Sequence, residues 1–433
     1  MGTQISFFDG SNKFVNDKPI RLIELFAGIG SQAKALKNLG IPFEHYRVCE
    51  FDHYAIKSYN AIHGTSFEMS DIRELLSEDL GIVDTDRFLY ICTYSFPCVD
   101  LSIAGKQKGM KKGGDTRSGL LWEVERLLDG MEELPQILLM ENVTQVHSDE
   151  NIEDFCLWLN KLESLGYKNY WQDLDVKDFG VPQSRKRTFC ISVLGDYYVD
   201  FPTPFKLTLR LKDIMEDVVD EKYYLPEKYL ENLDVIEYEK PIGDEPCVNQ
   251  IFNLMPSKTR ENLNQGRLYD KDGIAPTLCC MEGGNRQPYI VDDTYKGRSE
   301  RVYSDYSPTL RAERNGFLVV NAEPILYGGI GEKKSNGGTQ WYQQDRIYDS
   351  EGIAMCHPAQ IPEGSYKYKI RLKEGDRIRR LTPKECFRLM AFSDEDFERA
   401  SKVNKDTQLY KQSGNSIGVN VLMAIFKELL LRK

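Results

Sequence analysis

Ile20-Arg21-Leu22-Ile23-Glu24-Leu25-Phe26-Ala27-Gly28-Ile29-Gly30-Ser31-Gln32-Ala33 is the stretch on which the fold turns: an apolar run, a glycine turn and a helix that stops near Gly40. A strand leading through a glycine turn into a helix opens a nucleotide-binding α/β unit. Gly28 and Gly30 let the backbone approach a ligand closely, and Ala33 fits the helix-packing position of a G-x-G-x-x-G/A turn. About twenty residues on, His45-Tyr46-Arg47-Val48-Cys49 ends in Glu50, where such folds place the carboxylate that binds ribose hydroxyls. Phe51 beside it offers a face to adenine. These parts suit NAD and other adenosine cofactors alike.

Two further apolar runs end in chemistry-bearing residues. Phe88-Leu89-Tyr90-Ile91-Cys92 precedes Ser95-Phe96-Pro97-Cys98, and Ile137-Leu138-Leu139-Met140 precedes Glu141-Asn142-Val143. Short runs bounded by turn residues read as buried parallel strands, and open α/β sheets bind ligands beyond the carboxyl ends of their strands. A thiol and a carboxyl group are thereby directed to one pocket. A thiolate can add to an electron-poor ring carbon while a carboxylic acid protonates a ring nitrogen, which is how a cytosine is activated. Singly, a Cys after Pro is more often a packed thiol, a Glu after a strand a helix cap, and an Arg pair a surface ion pair. Helical residues 151–165, stopped by Gly166, and the strand-like Thr188-Phe189-Cys190-Ile191-Ser192-Val193 continue a βαβ pattern, so a mostly parallel sheet covered by helices is expected.

Taken in order, these residues resemble the C5-cytosine DNA methyltransferase family along most of the chain. Phe26-Ala27-Gly28-Ile29-Gly30 is similar to its first cofactor motif, Glu50 to the second, Asp71-Ile72 to the third and Phe96-Pro97-Cys98 to the nucleophile motif. Glu141-Asn142-Val143, Gln183-Ser184-Arg185-Lys186-Arg187, Arg380-Leu381-Thr382-Pro383-Lys384-Glu385-Cys386 and Gln412-Ser413-Gly414-Asn415-Ser416-Ile417 follow in family order. Ser95-Phe96-Pro97-Cys98 and Thr116-Arg117-Ser118-Gly119-Leu120-Leu121-Trp122-Glu123 also resemble the branch that contains a mycoplasmal CpG methylase. Val99 departs from the usual Gln or Asn and Ser95 from the common Gly; Val99 removes a polar group from a loop expected to meet DNA.

The resemblance implies an α/β, Rossmann-like S-adenosylmethionine-dependent methyltransferase domain over residues 1–205 plus 405–433. A second, smaller, mainly β target-recognition domain would span residues 206–404. It further implies S-adenosyl-L-methionine as methyl donor and a cytosine flipped out of double-stranded DNA. Cys98 would attack C6 and Glu141, protonated, would hold N3. Arg185 and Arg187 complete the catalytic set, Arg187 holding the base O2 and orienting Glu141. Phe26, Gly28, Ile29, Gly30, Glu50 and Phe51 would bind the cofactor, with Asp71, Ile72, Pro97, Leu120, Asn415 and Ser416. The C-terminal helix, residues 420–431, would return to pack beside the cofactor turn.

Composition bounds the rest. A chain of 433 residues can bury two cores, and a net charge of −11 with pI near 5.2 argues against nonspecific polyanion binding over the whole surface. Basic residues are local: Lys106, Lys108, Lys111, Lys112 and Arg117 lie in the Gly-rich loop after Cys98, opposed only by Asp100 and Asp115, and with Ser102 are expected to meet DNA phosphates. A second stripe runs from Lys367 to Arg388. After Phe201-Pro202-Thr203-Pro204 the character changes, and a repeat appears: Arg267-Leu268-Tyr269-Asp270, Arg301-Val302-Tyr303-Ser304 and Arg346-Ile347-Tyr348-Asp349. Arg286, in the tip Gly283-Gly284-Asn285-Arg286-Gln287, is placed to read a base edge. The ten cysteines form no CxxC pair and show no zinc spacing, so no metal is expected and the compartment reads as a reduced cytosol. No run is long enough for a membrane span, and a cytoplasmic monomer is expected, acting either alone or beside a separate cognate restriction endonuclease. An NAD-dependent oxidoreductase would leave Cys98, Glu141 and the Arg pair idle. A tRNA cytosine methyltransferase would have a much smaller variable region, and a non-catalytic homologue would lack the nucleophile.

Overall fold

The computed structural model describes residues 12–98, 101, 109–113, 116, 118–224, 236–240, 248, 250–253, 267–269, 273–278, 288–292, 326–329, 346–348, 366–370 and 377–431. A short pair, β1 (Asn12–Lys13) with β8 (Tyr197–Tyr198), flanks the main sheet strands. These are β2 (Ile20–Leu25), β3 (Phe43–Cys49), β4 (Leu89–Tyr94), β5 (Ile137–Asn142), β6 (Tyr167–Asp175) and β7 (Lys186–Leu194). The six lie in the order β3-β2-β4-β5-β7-β6. Pairings among β3, β2, β4 and β5 are parallel, whereas β7 runs antiparallel to both β5 and β6. The reversal of β7 brings its first residues, including Arg187, to the edge where β2 to β5 end.

Eight α-helices lie among the described residues: α1 (Ser31–Asn38), α2 (His53–His63), α3 (Leu121–Asp129), α4 (Ile152–Ser164), α5 (Pro383–Arg388), α6 (Asp394–Ser401), α7 (Asp406–Asn415) and α8 (Val419–Leu430). Successive strand residues point to opposite faces, so each central strand feeds two cores. Ile20, Leu22, Ile91, Leu139 and Ile191 meet α1 and α8 through Ala33, Leu36, Ile425 and Phe426. Ile23, Leu25, Tyr90, Cys92 and Leu138 meet α3 and α4 through Val124, Leu127, Phe155 and Trp158. Burial on both faces is why these strands read as unbroken apolar runs. Each buried aliphatic or aromatic side chain contributes about 1.5–3 kcal/mol to holding the layers together.

The chain divides into two compact units: Met1–Leu225, Glu245–Val291 and Ile378–Lys433 form one, Pro226–Asp244 and Asp292–Arg377 the other. The first extends beyond the residues 1–205 and 405–433 expected from sequence. Its extra parts are built in. Ala275 bridges to Gln183, and Ser184 N donates to Ala275 O at 2.9 Å. Thr382 caps α5 through a reciprocal box with Glu385, with Pro383 starting the helix, and Glu385 is also paired with fully buried Arg379 at 2.8 Å. The Leu381-Thr382-Pro383 motif is thus a helix start in the first unit.

Within the second unit Ile236–Lys240 pairs antiparallel with Tyr366–Ile370, setting Lys367 opposite Glu239 and Lys369 opposite Glu237. Leu326–Gly329 pairs with Arg346–Tyr348. The third repeat copy is therefore a strand; so is the first, Arg267–Tyr269, which belongs to the other unit. The second copy lies outside the described residues, as do Arg286, Val99, Ser102, Lys106 and Arg117. Among the described residues no helix is long and apolar enough to cross a membrane.

Candidate active site

Cys98 follows β4 by four residues, and Glu141 is the penultimate residue of β5. β4 and β5 are hydrogen-bonded neighbours, so thiol and carboxyl emerge at one sheet edge. Arg187 is brought there by β7, its Nε 3.3 Å from Glu141 Oε1 with both side chains largely buried. Burial pushes the Glu141 carboxyl above its ordinary value, and Arg187, Arg185 and the nearby Ser95 hydroxyl oppose that. Burial also raises the Cys98 thiol, Glu141 adds to the rise, and the two guanidiniums work against it. Burial thus pulls the Glu141 carboxyl toward the neutral acid while the two guanidiniums pull it toward the anion.

The backbone carrying the nucleophile is pinned at consecutive carbonyls. Asn142 Nδ2 donates to Phe96 O at 3.0 Å, Ser118 Oγ to Pro97 O at 2.7 Å, and Leu101 N to Cys98 O at 3.0 Å. Asn142 thus fixes the turn before Cys98. Ser118 was not singled out from sequence, where it is one small residue in a run resembling a family branch.

Beyond β2 and β3 the residues expected to hold a nucleoside converge. Glu50 accepts from Gly28 N and from Asp52 N, each at 2.7 Å, while burial raises its carboxyl against those bonds. Gly28 sits at φ +57° with nothing within 4 Å of where a Cβ would lie. Phe51 is 65% exposed. Open space at a glycine, a carboxylate fixed beside it and an uncovered aromatic face fit an adenosine moiety. Gly30 has a different reason to be glycine: a Cβ there would lie 2.3 Å from His63 Nε2 and 2.6 Å from the Tyr59 ring. Its role is close packing against α2.

The model of the family described as C-5 cytosine-specific DNA methylase matches residues 20–431 of this chain. The chain belongs to that family. An orphan methyltransferase of Bacillus phage SPR is 31% identical over 95% of this chain and 97% of its own length. The orphan methyltransferase M.SssI of Spiroplasma monobiae is 35% identical over 64% of this chain and 83% of its own. Among solved structures, the Entamoeba histolytica methyltransferase EhMeth aligns with a TM-score of 0.59 at 15% identity, covering 96% of this chain and all of that one, which speaks for the fold. The family, the α/β methyltransferase fold and a DNA cytosine C-5 methylase activity are thereby those expected from the motif order.

Other residues of this methylase take places the sequence did not show. Arg185, expected in the catalytic set, is buried and bonded to the carbonyls of Leu278, Gly414 and Ser416 at 2.8–2.9 Å. It ties the C-terminal motif to the start of β7 and acts on Glu141 and Cys98 as a fixed charge. Ser416 Oγ donates to Gln412 O at 2.7 Å, while Asn415 is exposed at the end of α7. Ile417 N donates to Ser31 Oγ at 3.2 Å, which docks this segment on α1 behind the glycine turn. Asp71 is hydrogen-bonded by Arg73, which holds it below the usual carboxylate range; Ile72 is buried and Leu120 half-buried. Lys111 and Lys112 are both exposed, and the Lys112 ammonium is bonded to Glu125 at 2.8 Å. Beneath the glycine turn, Tyr59 donates to buried Glu24 at 2.5 Å, and burial pushes Glu24 up to about 7. Glu24 read as part of an apolar strand and carried no separate signal.

Proposed function

We propose that the protein transfers a methyl group from S-adenosyl-L-methionine to C5 of cytosine in a specific double-stranded DNA sequence. The observation that carries this reading is the arrangement in which Cys98 and Glu141, both largely buried, share one sheet edge with Arg187 on the carboxyl group. The target must be flipped out, because a stacked base exposes neither face to a thiolate. The Cys98 thiolate then attacks C6 and Glu141 gives its proton to N3, so the ring takes on electron density at C5 without building net negative charge; once C5 carries the methyl group, its proton is lost to a base, Cys98 is expelled from C6 as thiolate and N3 returns its proton to Glu141. Arg187 holds Glu141 and faces the base O2, and Asn142 and Ser118 keep Cys98 on its line of attack. When bound, the cofactor supplies an electrophilic methyl group. Gly28, Glu50 and Phe51 would hold its nucleoside, with Phe26, Ile29, Asp71, Ile72, Pro97, Leu120, Asn415 and Ser416 around it.

Residues 226–377, the middle of the stretch assigned to target recognition, supply it in this reading, with Arg286 reading a base edge and Ser102, Lys106, Lys111 and Arg117 gripping phosphates. Relatives named as phage orphan and type II methyltransferases suggest a protein that marks DNA in the cytoplasm, alone or beside a separate endonuclease. Incubating the protein with tritiated S-adenosylmethionine and either random-sequence duplex DNA or tRNA tests the reading. Label is expected in 5-methylcytosine of the duplex. Label in tRNA alone, or none at cytosine C5, would overturn it.

A further inference from the structure

Lys112 belongs to the basic residues that sequence assigns to DNA phosphates, yet its ammonium is already held. It lies 2.8 Å from Glu125 Oε1 and 2.6 Å from Oε2, and 5.3 Å from the centre of the Trp122 ring. Glu125 is buried, and both partners stand on α3. The Trp122 indole N–H donates to Met110 O at 2.7 Å, two residues before Lys112. The segment is therefore fastened to α3 through a backbone carbonyl and an ammonium. From there hydrogen bonds lead to the nucleophile. Thr116 Oγ1 donates to Gly109 O at 3.2 Å and accepts from Gly119 N at 3.1 Å, and Ser118 beside it donates to Pro97 O at 2.7 Å.

We infer that Lys112 is a positioning residue for the methylation reaction: clasped to Glu125 and Trp122, it holds the bracket that fixes Pro97 and hence Cys98. An ammonium that left Glu125 for a phosphate would strand a carboxylate in a desolvated place, which opposes the exchange. The inference rests on Cys98 as nucleophile, but its DNA-binding arm reads independently of the chemistry.

Lys112→Gln, Lys112→Arg, Lys112→Glu and the swap Lys112→Glu with Glu125→Lys are compared with the wild type in salt-dependent DNA binding and single-turnover methylation. The clasp requires the Lys112→Gln rate to fall about tenfold or more, as misplacement of a reacting group does, with DNA affinity and salt slope unchanged. Lys112→Arg should retain most of the rate, and the swap should recover much of what Lys112→Glu loses. Urea midpoints measured alongside separate a loss of rate from a loss of fold, and the swap keeps the test open if Lys112→Glu alone folds poorly. A salt slope reduced by about 0.9 in Lys112→Gln, as for one lost phosphate contact, would overturn the inference. So would a swap no faster than Lys112→Glu. If wild type itself transfers no methyl group, the fault lies with the assigned reaction rather than with the clasp.

Discussion

Replacing Arg187 by leucine removes the charge that faces Glu141 while keeping an apolar stem in its place. Two unit charges 3.3 Å apart attract by about 5 kcal/mol at an effective dielectric near 20. The variant does not lose that sum, because Glu141 can take up a proton instead. Keeping a carboxyl group of ordinary pKa near 4.3 neutral at pH 7 costs roughly 3.7 kcal/mol, which caps the loss. Part of the cost is already present in the wild type, where burial holds Glu141 above its ordinary value. The folded value is raised in both proteins and raised further in the variant. Stability from this group is then complete below about pH 4.3 and is lost as pH rises through the folded value, and in the variant the loss continues to higher pH. Urea midpoints followed by tryptophan fluorescence should be close at pH 5 and should separate as pH is taken to 8, the variant being the weaker. A gap of the same size at both pH values would refute the coupling of Arg187 to Glu141.

Three further variants test the geometry. Glu141→Gln should slow single-turnover methylation by about 10²-fold, the size expected for a lost proton donor. The same change should speed alkylation of Cys98 by iodoacetamide near neutral pH, because Glu141 raises the Cys98 thiol; slower alkylation would show that the two groups are not coupled as described. Ser118→Ala leaves Pro97 O without its side-chain donor and should lower kcat with little change in KM, at a stability cost of about 1–3 kcal/mol, and an unchanged kcat would remove Ser118 from the support of Cys98. Arg379→Ala strands Glu385 in a fully buried site and should destabilise the first unit by about 3–5 kcal/mol, measured by urea unfolding; a loss within error of zero would mean the pair is not closed in solution.

The central strands were legible because burial on both faces leaves apolar runs of strand length, and the glycine turn gave the direction of the first one. The positions of Cys98, Glu141 and Glu50 were legible because each stands at or within four residues of the carboxyl end of a strand. The reversal of β7 was not, since an antiparallel strand buried on both faces carries the same apolar pattern as a parallel one. Without that reversal, the arrival of Arg187 at Glu141 could be taken only from family resemblance. Gly28 and Gly30 look alike in sequence, yet one faces open space and the other His63, a distinction made by a helix about thirty residues away. Arg185 was placed by family resemblance and Lys112 by charge alone. Their partners, three carbonyl oxygens and the Glu125 carboxylate, are fixed by tertiary contacts that residue type does not encode.

The central claim, that Cys98 forms a covalent bond to the cytosine it methylates, is tested most directly with duplex DNA carrying 5-fluorocytosine at a site the protein methylates. Fluorine at C5 blocks the elimination that frees the enzyme, so a covalent route must stop at the adduct. Wild type with S-adenosylmethionine should give a protein–DNA species that survives denaturation and whose modified peptide contains Cys98, and Cys98→Ser should give none. Turnover of the fluorinated duplex without a trapped species, or an equal yield from Cys98→Ser, would contradict the account.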